Sequence, residues 1–196
     1  MTKREMMKIV YSQLDIDYNC NPEDFNKDGV IFTIAEKQEG RREMPFITHR
    51  LEIITMGKSV IVNVSKNMMS FAKRKFEGKS NYDILTSKFV YGVNPYYLPD
   101  VENIKAVENN SFRFKLIYDN IQLLYCNKEF HNALQYDDDS KRPEALAAVA
   151  YDEEKIVGIA CASADSKTMS QIGVDVLPEY RGNGIAVKLV NMLTIE

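Results

Sequence analysis

Over residues 171–176 apolar and polar positions alternate, with Ile172, Val174 and Val176 on one face and Gln171, Gly173 and Asp175 on the other. That two-residue period predicts a strand. Pro178 has no N–H to donate and ends the ladder. From Ile185 the spacing changes: Ile185, Leu189, Met192 and Leu193 recur every three or four residues, the period of a helix. Between strand and helix stands Arg181-Gly182-Asn183-Gly184-Ile185-Ala186.

The same reading upstream predicts a helix over 3–17, with Met6, Met7, Val10, Tyr11 and Leu14 at helical spacing, and a second helix start with Asn21 as cap and Pro22 first. VIFTIAE after Gly29 reads as a strand, the polar run KQEGRREMP as a loop, and FITHRLEIITMG and SVIVNVS as strands turning at Gly57-Lys58. A helix follows through NMMSFAKRKFEG, with Met68, Met69, Phe71, Ala72 and Phe76 as its core face and Gly78 as its stop. Hairpin then helix repeats the order around Arg181, so in topology alone this half could be a degenerate copy. The aromatics Tyr82, Phe89, Tyr91, Tyr96 and Tyr97, with Pro95 and Pro99, read as a packed connecting segment, and a domain boundary is expected near residue 105. SFRFKLIY reads as a strand and NIQLLYCNKEFHNAL as a short helix. Strands over 145–151 and 155–162 are joined by the turn Asp152-Glu153-Glu154, and Asp165-Ser166-Lys167 turns back toward the strand of Asp175. The expected fold class is therefore α/β (α+β), an α/β domain over 1–105 followed by a mixed, mostly antiparallel sheet over 106–196.

Composition narrows the function classes. The chain has 196 residues, 45% hydrophobic and 27% charged, enough for one large or two small domains. A net charge of -3 and a pI near 5.6 give no electrostatic reason to expect nucleic acid. Lys73-Arg74-Lys75 reads as a solvated helix face. MTKREMMKIVYSQ lacks the apolar core of a signal peptide and no run is long enough to span a bilayer, so a cytoplasmic protein without a membrane partner is expected. Cys20, Cys126 and Cys161 are far apart and form no C-x-x-C pair, which supports neither a disulfide framework nor zinc. With His49 and His131 as the only histidines, a Cys161–His131 nucleophilic pair is the alternative to a buried strand cysteine, and the apolar run IVGIACA favours the buried cysteine. Asp137-Asp138-Asp139 reads as a solvated loop, and no metal is expected.

The chemistry lies in the 181–186 turn. Two glycines let the backbone approach a ligand closely, and the N–H groups that open the helix form an anion site suited to phosphate. The competing phosphate loops do not fit: there is no G-x-x-x-x-G-K-[ST], and no G-x-G-x-x-G with an acidic residue about twenty positions on. Arg181, Gly184 and Ala186 resemble motif A of the GNAT superfamily of N-acetyltransferases (Arg or Gln, two variable residues, Gly, one variable, Gly or Ala), and VLPEYRG resembles the strand that enters that loop. Three adjacent strands, the loop and a helix follow the family's order, and with NAL and VAYDEEKIVGIA the resemblance covers about 130–196. It is similar to a bacterial group that carries an extra N-terminal domain.

That resemblance implies acetyl-CoA as cosubstrate and a small-molecule or protein primary amine as acceptor, attacked directly. The pyrophosphate would rest on the N–H groups of Asn183, Gly184, Ile185 and Ala186, close to Gly182, with Arg181 contacting it or bracing the loop. The pantetheine arm would lie beside Val174 and Val176 where the fourth strand splays, and an N–H near Val176 would polarise the thioester carbonyl. Asp175 is the nearest carboxylate for a general base, and equally a hydrogen-bonding strand residue. The family continues with a strand, helix and strand beyond the position of Glu196, so the acetyltransferase-like sheet is expected to be C-terminally incomplete, and the 196-residue chain to be a poor enzyme that is oligomeric or marginally stable. A catalytically silent acyl-CoA-binding or assembly module remains the alternative.

Overall fold

The computed structural model describes residues 1–42 and 48–196, which divide into two compact units, Arg4–Leu98 and Pro99–Glu196 with Met1–Lys3. The end of the polar loop and the start of the strand expected from residue 46 fall on 43–47, outside the described residues. Among the described residues no helix is long and apolar enough to cross a membrane.

In the N-terminal unit, helix α1 (Lys3–Tyr18) buries Met6, Val10 and Leu14, the stripe its spacing predicts. The start expected at Asn21 is a single 3-10 turn (Pro22–Asn26), whose Asp24 carboxylate accepts from the Asn21 N–H at 2.9 Å. Strands β1 (Val30–Ile34), β2 (Leu51–Thr55) and β3 (Val60–Val64) form one sheet in the order β1-β3-β2, with β1 parallel and β2 antiparallel to β3. Every residue of β3 is buried, as a central strand with both faces covered requires. The hairpin turns at Gly57, whose φ of +118° only glycine adopts freely. Helix α2 (Met69–Phe76) then lays Ala72 and Phe76 on Val60, Val62 and Val64, and Met68 and Met69 pack on the same core.

Two expectations for this half do not hold. It is no copy of the C-terminal half, because β1 pairs in parallel with β3 whereas the C-terminal strands pair antiparallel in chain order. The aromatic stretch that begins in α3 (Asn81–Leu85) is not a packed connection: Tyr82 within the helix and Tyr91 and Tyr97 beyond it are 76%, 103% and 89% exposed. Pro95 and Pro99 deny the segment ladder donors, and among its aromatics Phe89 finds an edge-on partner, Phe71.

The C-terminal unit is a four-stranded antiparallel sheet, β4 (Arg113–Ile117), β5 (Glu144–Asp152), β6 (Lys155–Ala164) and β7 (Ser170–Val176), each beside the next. Helix α4 (Ile185–Ile195) covers one face, burying Ile185, Leu189 and Leu193 against Ala148, Ala150, Ala160 and Ala162. Small residues bring helix and sheet close together. A Cβ built on Gly158 would lie 2.9 Å from the Ile185 side chain and 3.2 Å from that of Leu189. Segment 121–136 covers the other face, burying Ile121, Leu124, Phe130, Ala133 and Leu134 on Ala147, Val149, Ile159 and Cys161. Its expected short helix is only a 3-10 turn (Ile121–Cys126): Asn120 enters with φ +57°, and the Asn127 side chain donates back to the Leu124 carbonyl at 3.0 Å, ending it.

Candidate functional site

The site begins with the pleat of β7. Ile172, Val174 and Val176 point into the α4-side core, as their alternation predicts. Gly173 and Asp175 face segment 121–136 instead. Gly173 lies so close to it that a Cβ there would sit 1.8 Å from the Asn132 carbonyl oxygen. Two residues on, one Asp175 oxygen accepts from the Asn132 and Ala133 N–H groups at 2.6 and 3.0 Å, and the other from the Asn132 side-chain amide at 2.6 Å. Gly173 permits the approach, and Asp175 holds the 132–133 backbone there by charge-assisted bonds.

Beyond Val176, Pro178–Tyr180 makes a 3-10 turn tied to the neighbouring hairpin. The Tyr180 hydroxyl donates to Asp152 at 2.9 Å, Lys155 lies over its ring at 5.0 Å, and Lys155 pairs with Glu179 at 3.1 Å. Arg181 Nε donates to the Val176 carbonyl at 3.1 Å, bracing the entry to the loop. Gly182 and Gly184 have φ +81° and +73°, the left-handed region that makes glycine the natural residue at both. The Asn183 amide folds back onto the Tyr180 carbonyl at 3.1 Å. Gly184 is the N-cap of α4, so the first N–H groups of Ile185, Ala186 and Val187 have no acceptor inside the helix.

These elements line a cleft of about 640 Å³ formed by Asn132, Val174, Asp175, Val176, Tyr180, Arg181, Gly182, Gly184, Ile185, Ala186 and Val187. It combines the strand end, the left-handed glycines and a helix N-terminus, the arrangement that accepts an anionic group against backbone N–H. Among the described residues β7 pairs on one side only, so its other edge offers backbone groups as well. Of the residues expected at this site, all but Asn183 line the cleft.

Three contributors escaped sequence reasoning. Asn132 lines the cleft from a segment that was read as a short helix and whose NAL likeness to the family gave it no role at the site. Tyr180 stands inside VLPEYRG, where its aromatic, hydroxyl-bearing side chain was the one available signal. Asn109 donates to the Asn183 carbonyl at 3.0 Å. Its segment is strapped along α4, with Lys188 donating to the Val107 carbonyl at 2.7 Å and Asn191 bonding both the Val107 N–H and the Lys105 carbonyl, at 2.8 and 2.9 Å.

The cysteines lie elsewhere. Cys161 is buried and donates to the Leu146 carbonyl at 3.3 Å, and burial pushes its thiol up to about 12, against any nucleophilic role at neutral pH. Burial likewise pushes Cys20 up to about 12, with the Asp15 and Asp24 charges adding to it. His131 leans on the Tyr136 ring at 5.8 Å. We therefore expect iodoacetamide at about pH 8 to alkylate exposed Cys126 in the native protein and to leave Cys20 and Cys161 unmodified until unfolding. Peptide mapping by mass spectrometry reads this directly, and native alkylation of Cys161 would contradict its burial.

A family model described as Acetyltransferase (GNAT) family matches residues 113–195, which spans the whole sheet from β4, the glycine turn and α4. That segment is a GNAT acetyltransferase domain. No curated protein and no solved structure matches the chain.

Proposed function

We propose that this protein binds acetyl-CoA in the cleft between β7 and the start of α4 and transfers its acetyl group to a primary amine, acting in the cytoplasm. The observation that carries the reading is the turn itself: left-handed Gly182 and Gly184 opening a helix at the end of a strand with a free edge, inside a GNAT domain. The pyrophosphate would lie against the N–H groups of 183–186, where the helix dipole favours negative charge. The arm would run along the edge at Val174 and Val176, and a backbone N–H there would polarise the thioester carbonyl. In the transfer the amine nitrogen forms the new C–N bond and the C–S bond breaks. The nitrogen gives up a proton, and the CoA thiolate takes one.

Asp175 fits a positioning role better than that of base, because both its oxygens already accept hydrogen bonds from residues 132 and 133. Asp175→Asn would turn an amide toward those donors and should lower stability by about 1–3 kcal/mol. As a positioning residue it leaves the shape of the pH–rate profile unchanged while kcat falls. Loss of the acidic limb in the variant would make it the base instead.

The silent-module alternative is separated from catalysis by one assay, thiol release from acetyl-CoA against a panel of small-molecule and peptide amines. Amine-dependent release supports the transferase. CoA binding with no release above the amine-free rate for any acceptor would favour the module.

A further inference from the structure

A second group of residues, in the N-terminal unit, is unlike the rest of its surface. The end of α1, the loop after β1 and strands β2 and β3 bring together Asp17, Tyr18, Arg41, Arg42, Arg50, Glu52 and Asn63. Two of the arginines are matched: Arg42 Nε donates to Asp17 at 2.5 Å, and Arg50 Nη2 pairs with Glu52. Arg41 is not matched in the same way. Its side chain is only 4% exposed, yet among the described residues its one ion-pair contact is a long 3.8 Å from Nη2 to Glu52, a carboxylate already shared with Arg50. Asn63 Oδ1 takes a further weak contact from the same nitrogen at 3.4 Å.

Among the described residues Arg41 Nε, Arg41 Nη1 and Arg50 Nε are all buried without an acceptor. Buried guanidinium donors are costly unless something accepts from them. Burial and the neighbouring Arg50 charge already push the Arg41 guanidinium below its ordinary value. The Asn63 amide nitrogen is turned away from the arginines: it donates to the Tyr18 backbone carbonyl and to the Thr33 hydroxyl, each at 2.8 Å. Among the described residues this group sets three guanidiniums, Arg41, Arg42 and Arg50, against two carboxylates, Asp17 and Glu52, and the unmatched donors are withdrawn from water.

We propose that the N-terminal unit carries a small-oxyanion site, in which the unmatched N–H groups of Arg41 and Arg50 hold a carboxylate or a phosphate. Arginine suits this role because its planar N–H fork matches either group. The site is built from residues of the N-terminal unit alone and uses none of those lining the cleft of the GNAT domain.

Differential scanning fluorimetry of the whole chain tests this at constant ionic strength, with chloride as reference and inorganic phosphate and succinate as separate arms. Because phosphate could also settle at the glycine turn, the same scans are run on Gly184→Asp and Arg41→Met. A shift of about 5 °C or more at saturation is expected in the wild type and in Gly184→Asp, in one arm or both, and its absence in Arg41→Met. Arg41→Met should melt no lower than the wild type in chloride, because the buried charge is gone. A response in the phosphate arm alone assigns a phosphate site, and one in the succinate arm alone a carboxylate site. A wild type indifferent to both anions would overturn the proposal, as would a shift that survives Arg41→Met or vanishes in Gly184→Asp. Should Arg41→Met fail to fold, Arg50→Met takes its place, and the wild-type response remains decisive.

Discussion

Gly184→Asp is expected to lower CoA affinity by about 100-fold or more while the protein stays folded. The residue opens α4 with φ +73°, and a Cβ there would meet no atom of the chain closer than the Asn109 amide at 3.6 Å. The protein therefore has room for the side chain, at a cost of about 1–2 kcal/mol for the left-handed backbone. The proposed ligand does not have room, because the carboxylate would occupy the pyrophosphate position and set a negative charge against another at the helix start. Gly184→Ala separates the two effects, carrying the backbone cost without the charge, and should lose much less affinity. Calorimetric titration with CoA alongside circular dichroism reads both. Unchanged affinity in a folded Gly184→Asp protein would remove the ligand from this turn.

The second large effect is expected from the smallest substitution, Gly173→Ala. The added methyl would lie 1.8 Å from the Asn132 carbonyl oxygen, 2.8 Å from its carbon and 3.3 Å from the Ala133 Cα, all backbone atoms. Backbone cannot rotate away as a flexible side chain would, so 131–133 must lift off β7. The three hydrogen bonds to Asp175 then lengthen or break, and Ala133 and Leu134 lose contact with the sheet. A loss of about 2–4 kcal/mol is expected, against the few tenths that Gly→Ala usually changes in a strand. Urea denaturation of the two proteins measures it. A change below about 0.5 kcal/mol would mean that this contact is looser than the structure shows.

What the sequence disclosed follows the range of the interactions. β5, β6, β7 and α4 were readable from local signals: β5 and β6 as apolar runs bounded by the turns at 152–154 and 165–167, β7 by its alternation and Pro178, and α4 by its helical spacing after the glycine turn. The turn at 181–184 was readable because its glycines lie between strand and helix signals, and in the structure both are left-handed. Asn132 and Asn109 were not, since they bond to residues 43 and 74 positions away and nothing in their neighbourhood marks a partner. The roles of Gly158 and Gly173 were hidden for a related reason: neither sits in a turn, and each matters for what packs against it. In the N-terminal half the pattern located the strands, but periodicity assigns faces and not neighbours, so the β1-β3-β2 order could not be seen. Arg41 was read as part of a polar loop, because a run of charged residues does not show which of them will be buried. The exposed tyrosines of 91–97 are the converse: aromatic composition suggested packing that prolines and an irregular backbone prevent.

The central claim is that the backbone N–H groups of the glycine turn receive the pyrophosphate of CoA. Backbone amide NMR during titration with acetyl-CoA tests it most directly. The account predicts saturable shifts that are largest at Gly182, Asn183, Gly184, Ile185 and Ala186, with smaller ones along Val174 and Val176 and none that require the N-terminal unit. Saturable shifts that spare the amides of 182–186, or no saturable shift at millimolar acetyl-CoA, would contradict it.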